Sequence, residues 1–164
     1  MKELKRQMTK TSKISYLFVA IIFFIIFDIY FSNIMMNCVE TMPSNPVFDL
    51  IFIQNTGAAF SILENSKIFL ISFSAFAILA MMVYLIKNIQ KASSFAIFWA
   101  SLLIAGVFCN MYERIAYGYV RDFFKLNFIN FPVFNISDIF INISVVAIVI
   151  IIITNEINNR RTNG

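Results

Sequence analysis

Apolar residues along this chain fall into four long runs that are separated by short polar segments. The runs cover about residues 14–36, 68–86, 93–112 and 138–153. An α-helix rises about 1.5 Å per residue, so about 20 residues cross the hydrocarbon core of a bilayer. The pattern therefore predicts four membrane-spanning helices, which we expect to form a single domain over residues 1–164.

The segments between the runs contain one stretch that is typical of a strand. Residues 47–54 are rich in β-branched and aromatic side chains and fit a small sheet on the membrane surface. The stretch between Asp122 and Asp138 is rich in Phe and fits a short mobile segment that reaches into the interface. We therefore expect an all-α membrane protein of four transmembrane helices, with a small extracytoplasmic β-cradle and a short extracytoplasmic helix or loop.

Composition agrees with solvation by lipid. Hydrophobic residues make up 60% of the 164-residue chain, charged residues only 13%, and Phe occurs 20 times. Soluble proteins have about 45–50% apolar residues even when Gly is counted. Too few polar side chains are available to cover a soluble globule of this size.

The distribution of basic residues predicts the orientation in the membrane. Lys and Arg collect on the cytoplasmic side of spans, and nine of the thirteen cations fall on one side here. These nine are Lys2, Lys5, Arg6, Lys10, Lys13, Lys87, Lys91, Arg160 and Arg161. Both termini are therefore expected in the cytoplasm. The cations form no basic face, so no nucleic-acid partner is expected.

The basic N-terminus followed by an apolar run is also compatible with a cleavable signal peptide. No small-residue cleavage site follows Phe27. We therefore expect the first helix to remain uncleaved.

The residue inventory excludes several kinds of catalytic site. The chain has no His, which excludes a Ser-His-Asp triad, a Cys-His pair and His-based zinc or haem ligation. Its two Cys residues, Cys38 and Cys109, lie far apart in sequence. We expect neither a metal nor a cofactor.

Two acidic residues, Asp122 and Asp138, are candidates for catalysis. Asp122 falls in the second loop on the extracytoplasmic side and Asp138 opens the fourth span, so both lie at the same membrane face. Two carboxylates that share a site hold one proton between them, and such a pair can hydrolyse an amide bond by general acid–base catalysis. From these two residues alone, the alternative is favoured that Asp138 caps a helix and Asp122 is an ordinary loop residue.

Four ordered segments resemble the motifs of one family, the bacterial lipoprotein signal peptidases, also called signal peptidase II. The segments are Asn55-Thr-Gly-Ala-Ala-Phe60, Cys109-Asn-Met-Tyr-Glu-Arg114, Gly118-Tyr-Val-Arg-Asp-Phe123 and Phe134-Asn-Ile-Ser-Asp138. They are similar to the family's N-x-G-A-A-F, G-N-x-x-D-R, G-x-V-x-D-F and F-N-x-A-D segments. The resemblance covers about residues 28–150.

The resemblance implies a function and a set of site residues. The family removes signal peptides from prolipoproteins, cutting just before a Cys that carries a diacylglyceryl group, in the bacterial cytoplasmic membrane with the active site on the extracytoplasmic face. Membrane lipids and globomycin-type inhibitors are the other partners that it implies. By motif position, Asp122 and Asp138 match the catalytic residues. The residues that match substrate-binding or supporting positions are Asn55, Gly57, Asn110, Arg114 and Asn135.

Residue chemistry leaves some of these roles open. Arg114 offers five donors for a substrate carbonyl or a loop carboxylate, but an interfacial cation whose side chain extends to the surface is equally compatible. Asn110 ends an apolar span and should face the bundle, where its amide can be hydrogen-bonded. Gly57 permits a tight turn, although a generic loop Gly is common.

Asp28 and Glu113 are expected to give structural support. An Asp within a span costs about 2.5–3.5 kcal/mol at the membrane centre, so Asp28 should face inward. Asp28 matches the Asp of a D-x-x-x-K segment in the first helix of the family, but Ser32 stands in the position of the Lys. Arg114 is one candidate partner for Asp28. Cys109, Glu113 and Ser137 also depart from the family motifs, so the resemblance implies the reaction class but not the substrate preference or inhibitor affinity.

Two other functions are compatible with parts of the sequence. A small proton- or cation-coupled transporter would explain Asp28 but not the four motifs, and no second intramembrane acid or repeat is present. A Ser-Lys peptidase could use Lys67 with Ser61 or Ser66, but a depressed Lys pKa requires burial.

Overall fold

The computed structural model describes residues 8–58 and 62–163. The first three basic residues of the orientation argument therefore lie outside the described residues, as do Phe60 and Ser61.

Four helices occupy the four apolar runs, which confirms the predicted membrane bundle. They are α1 (Lys10–Cys38), α2 (Lys67–Asn88), α3 (Ser94–Ala116) and α4 (Ile136–Asn163). Each is long and apolar enough to cross a membrane. A hydroxyl side chain caps the N-terminus of α1 and of α3. Thr9 accepts a hydrogen bond from the Ser12 amide, and Ser93 accepts one from the Ala96 amide.

The helix α3 is the centre of the bundle and packs against the other three helices. Gly106 lets α4 approach closely, since a Cβ there would lie 2.8 Å from the Ser137 carbonyl oxygen. The apolar core joins Leu17, Ile97 and Ile104. By contrast, only 6% of the apolar window of α2 is buried, so its large side chains form a surface suited to lipid.

A two-stranded antiparallel sheet completes the fold. Strand β1 (Phe48–Asn55) confirms the predicted strand at 47–54, and it pairs with β2 (Val120–Leu126). The expectation that Asp122 lies in a loop is wrong, because Asp122 is in β2 opposite Ile53. Residues 120–123 are all buried, which removes the polar–apolar alternation that marks a half-exposed strand.

The connections at the sheet end of the bundle are shorter than the sequence predicts. Helix α3 continues past residue 112 to Ala116, so Glu113 and Arg114 are helical rather than part of a loop. Gly118 then turns the chain into β2 with a φ of 91°, a conformation that Gly adopts without steric cost. These short connections place the end of α3, the strand β2 and the start of α4 side by side.

Candidate active site

The two candidate catalytic carboxylates line the same cavity. Asp122 is contributed by β2 and Asp138 by the first turn of α4. The cavity has a volume of about 750 Å³ and is lined in addition by Asn55, Asn110 and Arg114. The fold therefore brings together five of the residues that the sequence singled out.

Reciprocal hydrogen bonds between Asn135 and Asp138 fix the start of α4. The Asn135 Oδ1 accepts from the Asp138 amide at 2.9 Å, and the Asp138 Oδ2 accepts from the Asn135 amide at 3.2 Å. This is the arrangement of a capping box, with Asp in place of the usual Glu or Gln. Asp138 does contribute to the cap, as the structural alternative held. Its other carboxylate oxygen, Oδ1, is not part of the cap and accepts a hydrogen bond from Asn110.

Three Asn side chains connect the carboxylates. Asn55 donates to Asp122 Oδ2 at 2.9 Å, and Asn110 donates to Asp138 Oδ1 at 2.9 Å. Asn135 donates to Asp122 Oδ1 at 2.9 Å and to Asn110 Oδ1 at 3.1 Å. Each carboxylate therefore accepts two hydrogen bonds, and Asn135 contacts both acids.

Burial gives Asp122 an unusual proton affinity. Desolvation, followed by the nearby charge of Asp138, raises the pKa of Asp122 to about 7. The hydrogen bonds from Asn55 and Asn135 and the charge of Arg114 act in the opposite direction but are weaker. Asp122 can therefore carry a proton near neutral pH, as one member of an acid–base pair must.

Arg114 ties α3 to the segment that follows β1. Its Nη2 donates to the Gly57 carbonyl at 2.5 Å and its Nη1 to the Asn110 carbonyl at 3.1 Å. The Gly57 amide in turn donates to Asn55 Oδ1 at 3.0 Å. Arg114 is only 8% exposed, so it is not a cation that extends to the interface. Its Nε is buried without a partner among the described residues and remains available to a ligand.

The sequence did not identify Arg121, which holds β2 against α3. Its Nε, Nη2 and main-chain amide all donate to the Glu113 carboxylate, at 2.9, 2.6 and 2.7 Å. Its Nη1 donates to Asn33 on α1 at 3.1 Å, and its guanidinium stacks on the Tyr117 ring. Its position directly before Asp122 was the one feature of the sequence that pointed to it. A single Arg in a segment expected to be a loop gave no reason to expect a buried side chain.

Asp28 lies in a separate buried contact. Ser137 donates to Asp28 Oδ2 at 2.6 Å, and the two residues are 3% and 2% exposed. Arg114, one candidate partner for Asp28, does not pair with it, because Arg114 donates to the carbonyls of Gly57 and Asn110 instead. Asp28 thus connects α1 to the residue next to Asp138, and it does not line the cavity.

The described part of the chain gives no support to the other sites that the sequence allowed. Ser66 precedes α2 and Lys67 begins it, and neither donates a side-chain hydrogen bond to the other. Ser61 lies outside the described residues. No group of three His, Cys, Asp or Glu side chains in 8–58 and 62–163 is placed to ligate a metal ion.

Comparisons with known proteins identify the family of this chain. Residues 19–154 match the family model described as signal peptidase (SPase) II. A lipoprotein signal peptidase of Streptococcus thermophilus (strain CNRZ 1066) is 38% identical over 122 residues, which are 74% of this chain and 78% of that protein. One from Clostridium tetani is 37% identical over 112 residues, or 66% of this chain and 71% of that protein.

Solved structures give the same answer for the fold. A structure described as a bacterial membrane enzyme superposes with a TM-score of 0.77 at 26% identity, covering 88% of this chain and 92% of that one. A second has a TM-score of 0.72 at 28% identity, covering 85% and 93%. The chain therefore belongs to the signal peptidase II family of aspartic peptidases, multi-pass membrane enzymes that remove signal peptides from prolipoproteins.

Proposed function

We propose that Asp122 and Asp138 are the catalytic pair of this peptidase and that its substrate carries a diacylglyceryl group on the Cys after the cleavage site. The observation that carries the proposal is the network in which one residue, Asn135, contacts both acids. Asn55 donates to Asp122 Oδ2 and Asn110 donates to Asp138 Oδ1, which helps to orient the two carboxylates. Burial and the nearby charge of Asp138 favour a protonated Asp122, so that one proton can be shared by the two acids.

The reaction needs one ionised and one protonated carboxylate. The ionised Asp takes a proton from a water molecule, whose oxygen attacks the carbonyl carbon of the scissile peptide bond. The protonated Asp donates a hydrogen bond to the carbonyl oxygen as negative charge develops there. When the tetrahedral intermediate collapses, a proton passes to the departing amine of the lipid-modified Cys. The Nε of Arg114, which has no partner in 8–58 and 62–163, offers a further donor to a substrate carbonyl.

The shape of the cavity supports a lipid-bearing substrate. Its walls include Leu70 and Phe73 of α2 and Ile141 of α4, below the carboxylates. Helix α2 packs mainly on α3, so its side of the cavity lies next to lipid. Acyl chains can therefore remain in the bilayer while the scissile bond reaches the two Asp residues.

Orientation follows from the basic residues. The described cations Lys13 and Lys87 lie at the end of the bundle opposite the sheet, as do those after residue 153. By the positive-inside rule this end is cytoplasmic. Both termini then lie in the cytoplasm of a bacterial cell, and the site faces the extracytoplasmic side of the cytoplasmic membrane.

The test is cleavage of a synthetic prolipoprotein peptide with and without the diacylglyceryl group. Asp122→Asn and Asp138→Asn should each lower kcat by about 10²- to 10⁴-fold, because each removes one half of the acid–base pair. Asp49→Asn is the matched control, since Asp49 lies on the partner strand and bonds to Ser44 outside the cavity. Cleavage at the wild-type rate by either cavity variant would exclude the pair.

Substrate class and inhibitor class are tested in the same assay. Only the lipid-modified peptide should be cut, and globomycin should inhibit by occupying the cavity. Metal chelators and serine-directed reagents should have no effect. Equal cleavage of the unmodified peptide would reject the diacylglyceryl requirement and leave the peptidase activity intact.

A further inference from the structure

Two polar side chains line the cavity within the membrane-spanning helices, below the carboxylates. Ser74 lies on α2 and Asn142 on α4, one helical turn after Asp138. The surfaces around them are apolar, with Phe73 beside Ser74 and Ile141 beside Asn142. They stand on the two helices that flank the lipid side of the cavity.

Both side chains have unused hydrogen-bonding capacity. Asn142 uses one amide hydrogen on the Asp138 carbonyl oxygen at 2.9 Å and is otherwise exposed. Its second hydrogen and its Oδ1 have no partner among the described residues, and neither has the hydroxyl of the half-buried residue Ser74. A polar group that faces hydrocarbon without a partner costs free energy. The positions are therefore suited to a polar ligand that enters from the membrane.

The depth of these residues indicates which part of the substrate they meet. Asn142 lies about 6 Å further into the membrane than Asp138, because a helix rises about 1.5 Å per residue. When the scissile bond lies at Asp138, the sulphur of the lipid-modified Cys lies beside it. The two ester carbonyls of the glyceryl group follow the sulphur by a few bonds, in the direction of the acyl chains.

We propose that Ser74 and Asn142 form a subsite that donates hydrogen bonds to the ester carbonyl oxygens of the diacylglyceryl group. The inference rests on the proposed substrate and adds residues that recognise its lipid. The peptide carbonyls of the signal sequence have the same acceptor chemistry. The glyceryl esters are the better match because they belong to the part of the substrate that stays in lipid, beside α2.

The experiment compares two synthetic prolipoprotein peptides of identical sequence. One carries a dipalmitoylglyceryl thioether, and the other carries a dihexadecylglyceryl thioether, in which ether links replace the esters and remove both carbonyls. We expect wild-type kcat/KM to be about 3- to 30-fold higher for the ester. Asn142→Leu and Ser74→Ala should each lower the value for the ester towards that for the ether and leave the ether value unchanged.

The ether substrate and a control variant separate recognition from folding. Thr154→Val removes a polar group from the other end of α4, where Thr154 bonds only to its own helix, and should leave the ester preference at the wild-type value. Equal wild-type kcat/KM values for the ester and the ether substrates would overturn the subsite. An equal loss of kcat/KM on both substrates in Asn142→Leu would also overturn it. Asn142 would then act by contacting the peptide or by its hydrogen bond to the Asp138 carbonyl. If the wild type cut neither lipid-bearing peptide, the proposed substrate itself would fail, and the inference with it.

Discussion

Asp122 is a carboxylate whose proton affinity depends on four neighbouring side chains as well as on burial. Desolvation and Asp138 raise its pKa to about 7, against hydrogen bonds from Asn55 and Asn135 and the charge of Arg114. Cleavage should therefore have an alkaline limb near pH 7, where the shared proton is lost. Above it, kcat/KM should fall by about tenfold per pH unit. A rate profile between pH 5 and 9 checks this, and a flat profile through pH 8 would contradict it.

The same pKa makes a prediction about stability. The folded state holds the Asp122 proton up to about pH 7, whereas the unfolded chain releases it near its ordinary value of about 3.9. The free energy of unfolding from this group therefore falls as pH rises from about 4 to about 7. Asp122→Asn removes this pH dependence. In thermal unfolding in detergent, the stability of the variant relative to wild type should therefore be greater at pH 8 than at pH 5. An unchanged difference would contradict the raised pKa.

At this scale the sequence identified the candidate acids and amides, but it could not pair them. Asn135 was expected as a supporting residue, yet nothing in the chain order shows that its amide contacts Asp122, 13 residues earlier. The sequence also failed to identify Ser137 as the partner of Asp28, for a related reason. A hydroxyl such as Ser137 has no charge to suggest that it would bond to a buried acid, whereas Arg114 has.

Among the elements, β2 depends on a buried ion pair with α3. Glu113 and Arg121 have side-chain exposures of 7% and 9%, and the pair fixes the strand directly before Asp122. Removing one partner of a buried pair leaves an uncompensated charge, which typically costs about 3–5 kcal/mol. Glu113→Gln should therefore lower the thermal unfolding midpoint strongly and reduce cleavage, as measured in the same detergent.

The chain provides a matched control for this variant. Glu156 and Arg160 form an ion pair one helical turn apart on α4, with side-chain exposures of 58% and 78%. Exposed pairs contribute at most about 1 kcal/mol, so Glu156→Gln should leave both stability and cleavage near wild type. Similar effects of the two substitutions would show that the pair between α3 and β2 does not support the strand.

Helices were easier to predict than the second strand. Four apolar runs of spanning length have one plausible structure in a bilayer, because the backbone must satisfy its own hydrogen bonds there. The strand β1 keeps its β-branched and aromatic character, whereas β2 contains Arg121, Asp122 and Lys125. Those charges suggested a loop, since the sequence does not show that Glu113 and Asn55 lie ready to bind the first two.

At the scale of the whole molecule, the candidate site and most of the basic residues lie at opposite ends of the bundle. The cavity, the sheet and the buried acids lie where α3 ends and α4 begins. At the other end, Lys13 donates to the carbonyls of Gln90 and Ala92 and so joins α1 to the short link between α2 and α3. In the proposed orientation the positive end faces the cytoplasm and the cavity faces the opposite side, which fits the proposed substrate, whose modified Cys lies outside the cytoplasm.

This arrangement predicts the labelling of cysteines placed at the two ends. Glu40→Cys and Gln90→Cys, each in a Cys38→Ser background, put exposed thiols just after α1 and in the link between α2 and α3. A membrane-impermeant maleimide added to intact cells should label the first and not the second, because Gln90 lies at the positive end. Permeabilised cells should show both. The background protein, with Cys109 only 1% exposed, should remain unlabelled throughout. Labelling of position 90 in intact cells would reverse the orientation and place the two Asp residues on the cytoplasmic face.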